Sequence, residues 1–131
     1  MTGRLLVIDK QPCSAAMIER IARTLGLEVR ILTEPLRAVE SFMAFAPDIV
    51  ILNAITPMRD GIAALQQMIG SAVPAKLIVV SGYSGAYLRL AQGVAKFHGL
   101  PPLAILLKPF RQEDLIAQLR AALPAAVAVR V

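Results

Sequence analysis

The sequence predicts a doubly wound α/β fold built around a parallel sheet. Short aliphatic stretches with the character of buried strands alternate with longer stretches of helical period, which is the pattern of repeated βα units. The hydrophobic fraction of 56% exceeds the roughly 45–50% of an average domain, as expected for strands buried on both faces. A chain of 131 residues has the length of one domain with one core.

Five stretches are predicted as strands because each is a run of aliphatic residues bounded by polar residues, glycine or proline. They are Arg4–Ile8, Glu28–Leu32, Asp48–Leu52, Lys76–Val80 and Leu103–Leu107. Their shortness and their regular separation by helical patterns favour parallel pairing through crossover helices.

Five helices are predicted between and after these strands. They cover about Ser14–Leu25, Pro35–Ala46, Ile62–Ile69, Ser84–His98 and Gln112–Leu123. Gly26 stands just past the first helix, where a C-terminal cap is expected, and Pro101 forbids continuation of the fourth. The strict alternation of elements favours the flavodoxin-like strand order 2-1-3-4-5.

Polar residues stand at the carboxyl ends of four predicted strands. Right-handed crossovers bring all of these ends to one edge of the sheet. The polar residues there are Asp9, Lys10, Asn53, Ser81 and Lys108. Because open α/β sheets bind ligands at this edge, we expect the five residues to form one pocket.

This ordered set of strand ends resembles the CheY-like receiver domain of bacterial two-component response regulators. The resemblance covers residues 4–123, so residues 1–123 are predicted as one receiver-like domain and residues 124–131 as a tail or the start of a linker. In that family an aspartate at the third strand accepts a phosphoryl group, two acids at the first strand help to hold Mg²⁺, and a hydroxyl and a lysine contact the phosphoryl group. Residue by residue, Asp9 matches the first acid, Lys10 the second acid, Asn53 the acceptor, Ser81 the hydroxyl and Lys108 the lysine.

Two of these five positions depart from the family pattern. One carboxylate and two ammonium groups give the pocket a formal charge of +1, where the family pattern gives −2. Mg²⁺ prefers carboxylate oxygens, so its binding is expected to be lost or weak. The amide of Asn53 is no nucleophile, so phosphorylation is expected to be lost, and Lys108 is expected to serve as a structural cation paired with Asp9.

The resemblance also implies a switch position and a partner surface. Ser81 and Ile105 stand where the family has a hydroxyl and a mobile aromatic ring. The family's common interface is the face of the fourth helix, fifth strand and fifth helix, and the candidates for it here are Tyr83, Tyr87, Phe97 and Arg111. Core packing of Phe97 and simple solvation of Arg111 remain equally compatible with the sequence.

The function implied is that of a cytoplasmic signal-transduction module, not an enzyme, acting without phosphorylation on a protein partner: a histidine kinase, an output module or a second copy. Three other interpretations stay open. In the first, the chain is an orthodox phosphorylated receiver with an atypical site, for which Asp48 and Asp60 are the nearest acids. In the second, it is the regulatory domain of a cyclic-di-GMP phosphodiesterase, since residues 82–103 resemble receivers joined to EAL modules. In the third, it is a small anion- or nucleotide-binding flavodoxin-like protein, although no glycine-rich phosphate loop follows the first strand.

Composition argues against several other classes. The net charge is +5, but the basic residues form no dense run and tryptophan is absent, so nucleic-acid binding is not favoured. No apolar run approaches the roughly 18 residues that span a bilayer, and the first residues lack a signal-peptide pattern. Cys13 is the only cysteine, which excludes an internal disulfide.

Overall fold

The structure is a computed structural model that describes residues 3–34, 38–54, 75–81, 89, 92–93, 96–97 and 104–123. The strands are β1 (Arg4–Ile8), β2 (Glu28–Leu32), β3 (Ile49–Ala54), β4 (Lys76–Ser81) and β5 (Ala104–Leu107). The helices are α1 (Pro12–Thr24), α2 (Ala38–Phe45) and α3 (Gln112–Ala122). Residues 89, 92–93 and 96–97 are also helical, within the predicted fourth helix. The predicted third helix lies outside the described residues.

All strand pairs in the sheet are parallel, and the order is β2-β1-β3-β4-β5. This confirms the predicted doubly wound α/β fold and its strand order. The direction in which strands are added reverses between β1 and β3, which makes the carboxyl ends of these two strands the topological switch point of the sheet.

The central strands run further at their carboxyl ends than the aliphatic pattern predicts. β1 and β2 have the predicted bounds, whereas β3 continues to Ala54 and β4 to Ser81. The reason is the β3–β4 ladder, in which Asn53 pairs with Val80 and Ala54 pairs with Ser81. Backbone hydrogen bonds therefore extend the two strands beyond their apolar residues, and Asn53 lies within a strand.

A hydrophobic core forms between the sheet and the pair of helices α1 and α3. It contains alternate residues of β1, β3 and β4, which face the same side because side chains in a strand alternate, together with apolar residues of the two helices. Members of this core include Leu5, Val7, Ile49, Ile51, Ile78, Val80, Ile18, Leu115 and Leu119. Burial of each aliphatic side chain stabilises the fold by about 1.5–3 kcal/mol. The other face of the sheet is also buried at Leu6, Ile8, Val50, Leu52 and Val79.

The first helix begins two residues earlier than its apolar pattern predicts, at Pro12. Proline is favoured in a first helical turn because its fixed φ suits the helix and its missing N–H is not needed there. The helix ends at Thr24, and Gly26 follows with φ 81, the left-handed conformation predicted for a glycine past a helix end. No helix in the described part of the chain has the length and apolar character required to cross a membrane.

Arg4 makes several contacts at the edge of the sheet where the parallel strands begin. Its guanidinium Nη1 donates to the carbonyl of Phe45, the last residue of α2, at 2.9 Å, and its Nε lies 3.3 Å from Glu28 Oε2. Its backbone N–H donates to Asp48 Oδ2 at 2.9 Å, and the Asp48 N–H donates to the Arg4 carbonyl at 2.9 Å. The Arg30 guanidinium also lies over the Phe45 ring, 4.6 Å from its centroid. These contacts fix the end of α2 and the entry to β3.

Candidate functional site

The carboxyl ends of β1 and β3 place Asp9 and Asn53 side by side in the backbone of the sheet. The last pair between these strands is Ile8 with Leu52, so the next residue of each chain is Asp9 and Asn53. The backbone N–H of Asp9 still donates to the Leu32 carbonyl of β2 at 2.9 Å. Both residues therefore stand at the topological switch point, where open α/β sheets bind ligands.

The ends of β4 and β5 continue the same edge. Ser81 is the last residue of β4 and pairs with Ala54 on one side and Leu107 on the other. Lys108 follows β5 immediately, and its peptide bond to Pro109 is cis. The structure thus brings the backbones of Asp9, Asn53, Ser81 and Lys108 to one edge, in the order expected from the sequence.

Asp9 is the one buried charged residue in the described part of the chain, with 1% of its surface exposed. Its Oδ1 accepts a hydrogen bond from the backbone N–H of Gln11 at 2.9 Å. Gln11 is the residue before α1, has an extended conformation and makes no cap with its own side chain. The carboxylate of Asp9 therefore fixes the turn that leads into α1, a role that aspartate performs well because its short side chain reaches a backbone N–H two residues on.

The two lysines of the candidate site differ in their surroundings. Lys10 is exposed, whereas Lys108 is half-buried. Among the described residues Lys108 forms no ion pair, so the expected pairing of Lys108 with Asp9 is not present. The strands that carry them are not adjacent, because β3 and β4 lie between β1 and β5 in the sheet.

The residues present do not fit Mg²⁺. One oxygen of Asp9 already accepts the Gln11 N–H, and the neighbouring position carries the ammonium of Lys10. Within the described ranges no three histidine, cysteine, aspartate or glutamate side chains cluster as a metal site would require. Mg²⁺ needs near-octahedral oxygen ligands that include negatively charged carboxylates. Asp9, Lys10 and Lys108 together carry a net positive charge instead.

Asp48, one of the acids nearest to Asn53 in sequence, lies at the wrong edge to replace it. Asp48 directly precedes β3 and is held to Arg4 by two hydrogen bonds of 2.9 Å. Asn53 is five positions after Asp48 along the chain, which is about 16 Å at the rise of a β-strand. Asp60, the other acid considered, is outside the described residues.

The switch position on β5 is occupied by a half-buried aliphatic residue, Ile105, whose partner on β4 is Val79. The candidate partner surface is described in part. Phe97 is 87% exposed, so the interpretation of Phe97 as a core residue is wrong. Arg111 is exposed, and its backbone N–H donates to Asp114 Oδ2 at 3.0 Å, which helps to start α3. Tyr83 and Tyr87 lie outside the described residues.

One exposed apolar residue on this surface is not predicted from the sequence. Leu107 is 57% exposed, although it ends the most apolar of the five strands. Its exposure follows from the position of β5 at the edge of the sheet. An unbroken aliphatic run gives no indication of which residue is exposed, so only the strand order could have pointed to it.

The model of the response regulator receiver domain matches residues 5–120, and the chain therefore belongs to the response regulator receiver domain family. At that level it is a receiver module of two-component signalling, a class of domain that interacts with proteins such as kinases and output domains.

Among curated proteins the chain is similar to the DNA-binding response regulator MtrA of Mycolicibacterium smegmatis, with 26% identity over 125 residues, 94% of this chain and 51% of that protein. The chain thus spans about half the length of this relative.

Among solved structures, a response regulator from Bermanella marisrubri is 29% identical, with a TM-score of 0.74 and coverage of 93% of this chain and 98% of the other. A response regulator from Colwellia psychrerythraea is 26% identical, with a TM-score of 0.74, 92% of this chain and 96% of the other. These likenesses agree with the observed five-stranded parallel architecture.

Proposed function

We propose that this chain is a phosphorylation-independent receiver that works by binding a protein partner. The observation that carries the proposal is the position of Asn53, in β3 beside the end of β1, where a family member needs a nucleophilic carboxylate. The nitrogen lone pair of an amide is delocalised into the carbonyl, so Asn53 offers no group that attacks a phosphoryl donor. The receiver framework is retained while its acceptor is absent.

Two further features support this proposal. The charge of the site opposes Mg²⁺, because Lys10 replaces an acid and Asp9 has a hydrogen-bonded oxygen. Asp48, an acid that could have substituted for Asn53, lies about 16 Å away along β3. Receiver domains are generally non-enzymatic signalling modules, and we propose no catalytic activity for this chain.

The surface proposed for partner binding comprises the predicted fourth helix, β5 and α3; we call it the β5 face. It presents Phe97 and Leu107 with 87% and 57% exposure and an exposed Arg111. Aromatic residues and arginine are enriched at protein interfaces. The partner is a kinase, an output module or a second copy of the chain, and the proposed compartment is the cytoplasm, where such partners act.

The experiment that tests the proposal is intact mass spectrometry after incubation with acetyl phosphate and Mg²⁺. Native protein, Asn53→Asp and Asn53→Asp/Lys10→Asp are treated in parallel. We expect the native chain to gain no phosphoryl group and the double variant to gain one. Labelling of the native chain would show that another residue accepts the group, and the proposal would be wrong.

A further inference from the structure

The strand β2 is one edge of the sheet, and in the described part of the chain it pairs with β1 alone. The Glu28 N–H donates to the Gly3 carbonyl at 2.8 Å, so the backbone of residue 28 bonds towards β1. Because successive residues of a strand direct their backbone groups to opposite sides, Val29 and Ile31 direct theirs away from β1. Such an open edge is a template for another strand.

Two exposed side chains of opposite charge lie on one face of β2. Glu28 and Arg30 are two positions apart and therefore point to the same side of the sheet. The Glu28 side chain is 52% exposed even though its Oε2 lies 3.3 Å from Arg4 Nε. Arg30 is exposed, lies over the Phe45 ring and has no acidic partner within the described ranges. The open edge thus offers one carboxylate and one guanidinium to a partner.

A second copy of β2 matches this edge when it runs antiparallel to the first with Val29 opposite Val29. In that register Glu28 of each copy faces Arg30 of the other, and directly opposite side chains have Cβ atoms about 4.5–5.5 Å apart. The two Val29 residues then exchange two backbone hydrogen bonds. The alternative register with Arg30 opposite Arg30 brings like charges together, which is unfavourable. The charges of β2 therefore favour one antiparallel register over its neighbour.

One side chain of the same chain lies at the open edge. Arg23 Nη2 is 3.5 Å from the Val29 carbonyl oxygen, which is long for a hydrogen bond. The same nitrogen is 3.0 Å from Glu19 Oε2. Because Glu19 holds this guanidinium more closely, a backbone N–H from a second strand can replace it at the Val29 carbonyl. Arg23 is a weak competitor of strand pairing.

We propose that β2 is a self-association surface, at which two copies of this chain pair antiparallel about Val29 and join their sheets into one. The contact is isologous, so each charge pair occurs twice in the dimer. A contact along one short strand buries little surface, and the association is therefore weak and concentration-dependent. Since β2 and β5 are opposite edges of the sheet, the inference does not depend on the β5 face or on the proposed function.

The test is sedimentation velocity of the full chain over a series of protein concentrations, combined with hydrogen exchange of its backbone N–H groups followed by NMR. We expect reversible association and slower exchange of the Val29 and Ile31 N–H groups as the concentration rises. Arg30→Glu should weaken association about tenfold or more, because it turns two opposite-charge pairs into two like-charge pairs. Arg120→Glu is the matched control, an equal charge change at an exposed position of α3, and should stay within about twofold of native.

Three more variants make the outcome decisive. Glu28→Arg/Arg30→Glu exchanges the two charges and should restore the association that Arg30→Glu loses. Arg30→Gln removes the attraction without adding repulsion and should weaken association less than Arg30→Glu, which keeps the test valid if the double variant folds poorly in urea denaturation. Arg23→Met should tighten association, because it removes the competitor for the Val29 carbonyl.

Three results would overturn the inference. They are a native chain that stays monomeric, association without protection of the Val29 N–H, and equal losses for Arg30→Glu and Arg120→Glu. Association that Leu107→Ala abolishes and Arg30→Glu leaves intact would assign the dimer to the β5 face and reject the β2 edge.

Discussion

The Asp9 carboxylate accepts the backbone N–H of Gln11 at 2.9 Å, and this contact joins the end of β1 to the start of α1. Asp9 is buried to 1% exposure, so the hydrogen bond lies away from solvent. A buried carboxylate requires such partners, because an unsatisfied charge is costly. In this chain at least one oxygen of Asp9 serves the fold, which explains how the residue can be kept at a site that does not fit Mg²⁺.

The first prediction concerns the acceptor role of Asp9. Asp9→Ala removes the oxygen that binds the Gln11 N–H and should lower the free energy of unfolding by about 1–2 kcal/mol, the usual cost of losing a helix-starting acceptor. Asp9→Asn keeps a carbonyl oxygen and should lose less than half as much. Urea denaturation measures both, with Glu113→Ala as an exposed control. Equal losses for the two Asp9 variants would show that the negative charge of Asp9 contributes more to stability than the oxygen that accepts the Gln11 N–H.

The second prediction is that Mg²⁺ does not stabilise the native chain. A ligand stabilises a protein only in so far as it binds the folded state, and the site offers Mg²⁺ one partly engaged carboxylate beside Lys10. The melting temperature in millimolar MgCl₂ should equal that in NaCl of the same ionic strength. Asn53→Asp/Lys10→Asp should melt higher in MgCl₂ than in NaCl. A shift of the native protein that is specific to MgCl₂ would contradict the assignment of the site as unfit for the metal.

The third prediction uses the backbone at the end of α2. Ala46 follows the helix with φ 50, a left-handed conformation that costs a residue with a Cβ about 1 kcal/mol. Ala46→Gly should therefore stabilise the protein, by up to about 0.5 kcal/mol after the roughly 0.5–1 kcal/mol that the greater entropy of unfolded glycine costs is deducted. Ala44→Gly, at an exposed position inside α2, should instead destabilise by about 1 kcal/mol. Chemical denaturation of the two variants checks the opposite signs, and two losses would show that Ala46 is unstrained.

The fourth prediction concerns Arg30 and Phe45. The Arg30 guanidinium carbon lies 4.6 Å from the centre of the buried Phe45 ring, which is a cation–π distance. Because Arg30 itself is exposed, the contact is worth about 0.5–1 kcal/mol. A double-mutant cycle with Arg30→Met and Phe45→Leu isolates this energy, because Met keeps the stem of arginine and Leu keeps much of the ring's volume. We expect coupling of about 0.5–1 kcal/mol. If the losses of the two single variants simply add, the Arg30 and Phe45 side chains have no energetic coupling and the cation–π contact does not stabilise the fold.

The strand order and the presence of each described strand and helix could be predicted because they depend on patterns local in sequence. Aliphatic runs alternating with helical periods determine βα units, and the crossover rule then places every strand end on one edge. The positions of Asn53 and Ser81 followed from this rule alone. Their membership of strands did not, because the β3–β4 ladder depends on a partner about 27 residues away.

Contacts between distant side chains could not be predicted from the sequence. The hydrogen bond from Arg4 to the end of α2 joins residues 41 positions apart, and no periodicity reports such a pair. The expected ion pair between Lys108 and Asp9 is likewise a contact between distant positions, and it is not present among the described residues. Both residues lie at one edge of the sheet, with β3 and β4 between their strands, and a shared edge alone does not show which side chains are in contact.

The last prediction tests the β5 face with two neighbouring leucines. Leu106 is 6% exposed and lies in the core, whereas Leu107 is 57% exposed. Leu106→Ala should lower the free energy of unfolding by about 2–4 kcal/mol, as for other buried leucines, and Leu107→Ala should change it by less than about 0.5 kcal/mol.

If the β5 face binds a second copy, Leu107→Ala should shift the sedimentation profile towards monomer while leaving urea denaturation unchanged. Phe97→Ala should act in the same direction, because Phe97 is 87% exposed. A native chain that is monomeric at all concentrations would exclude the second copy as the partner and leave a kinase or an output module. Destabilisation by Leu107→Ala equal to that by Leu106→Ala would show that Leu107 belongs to the core, and the β5 face would lose its central apolar residue.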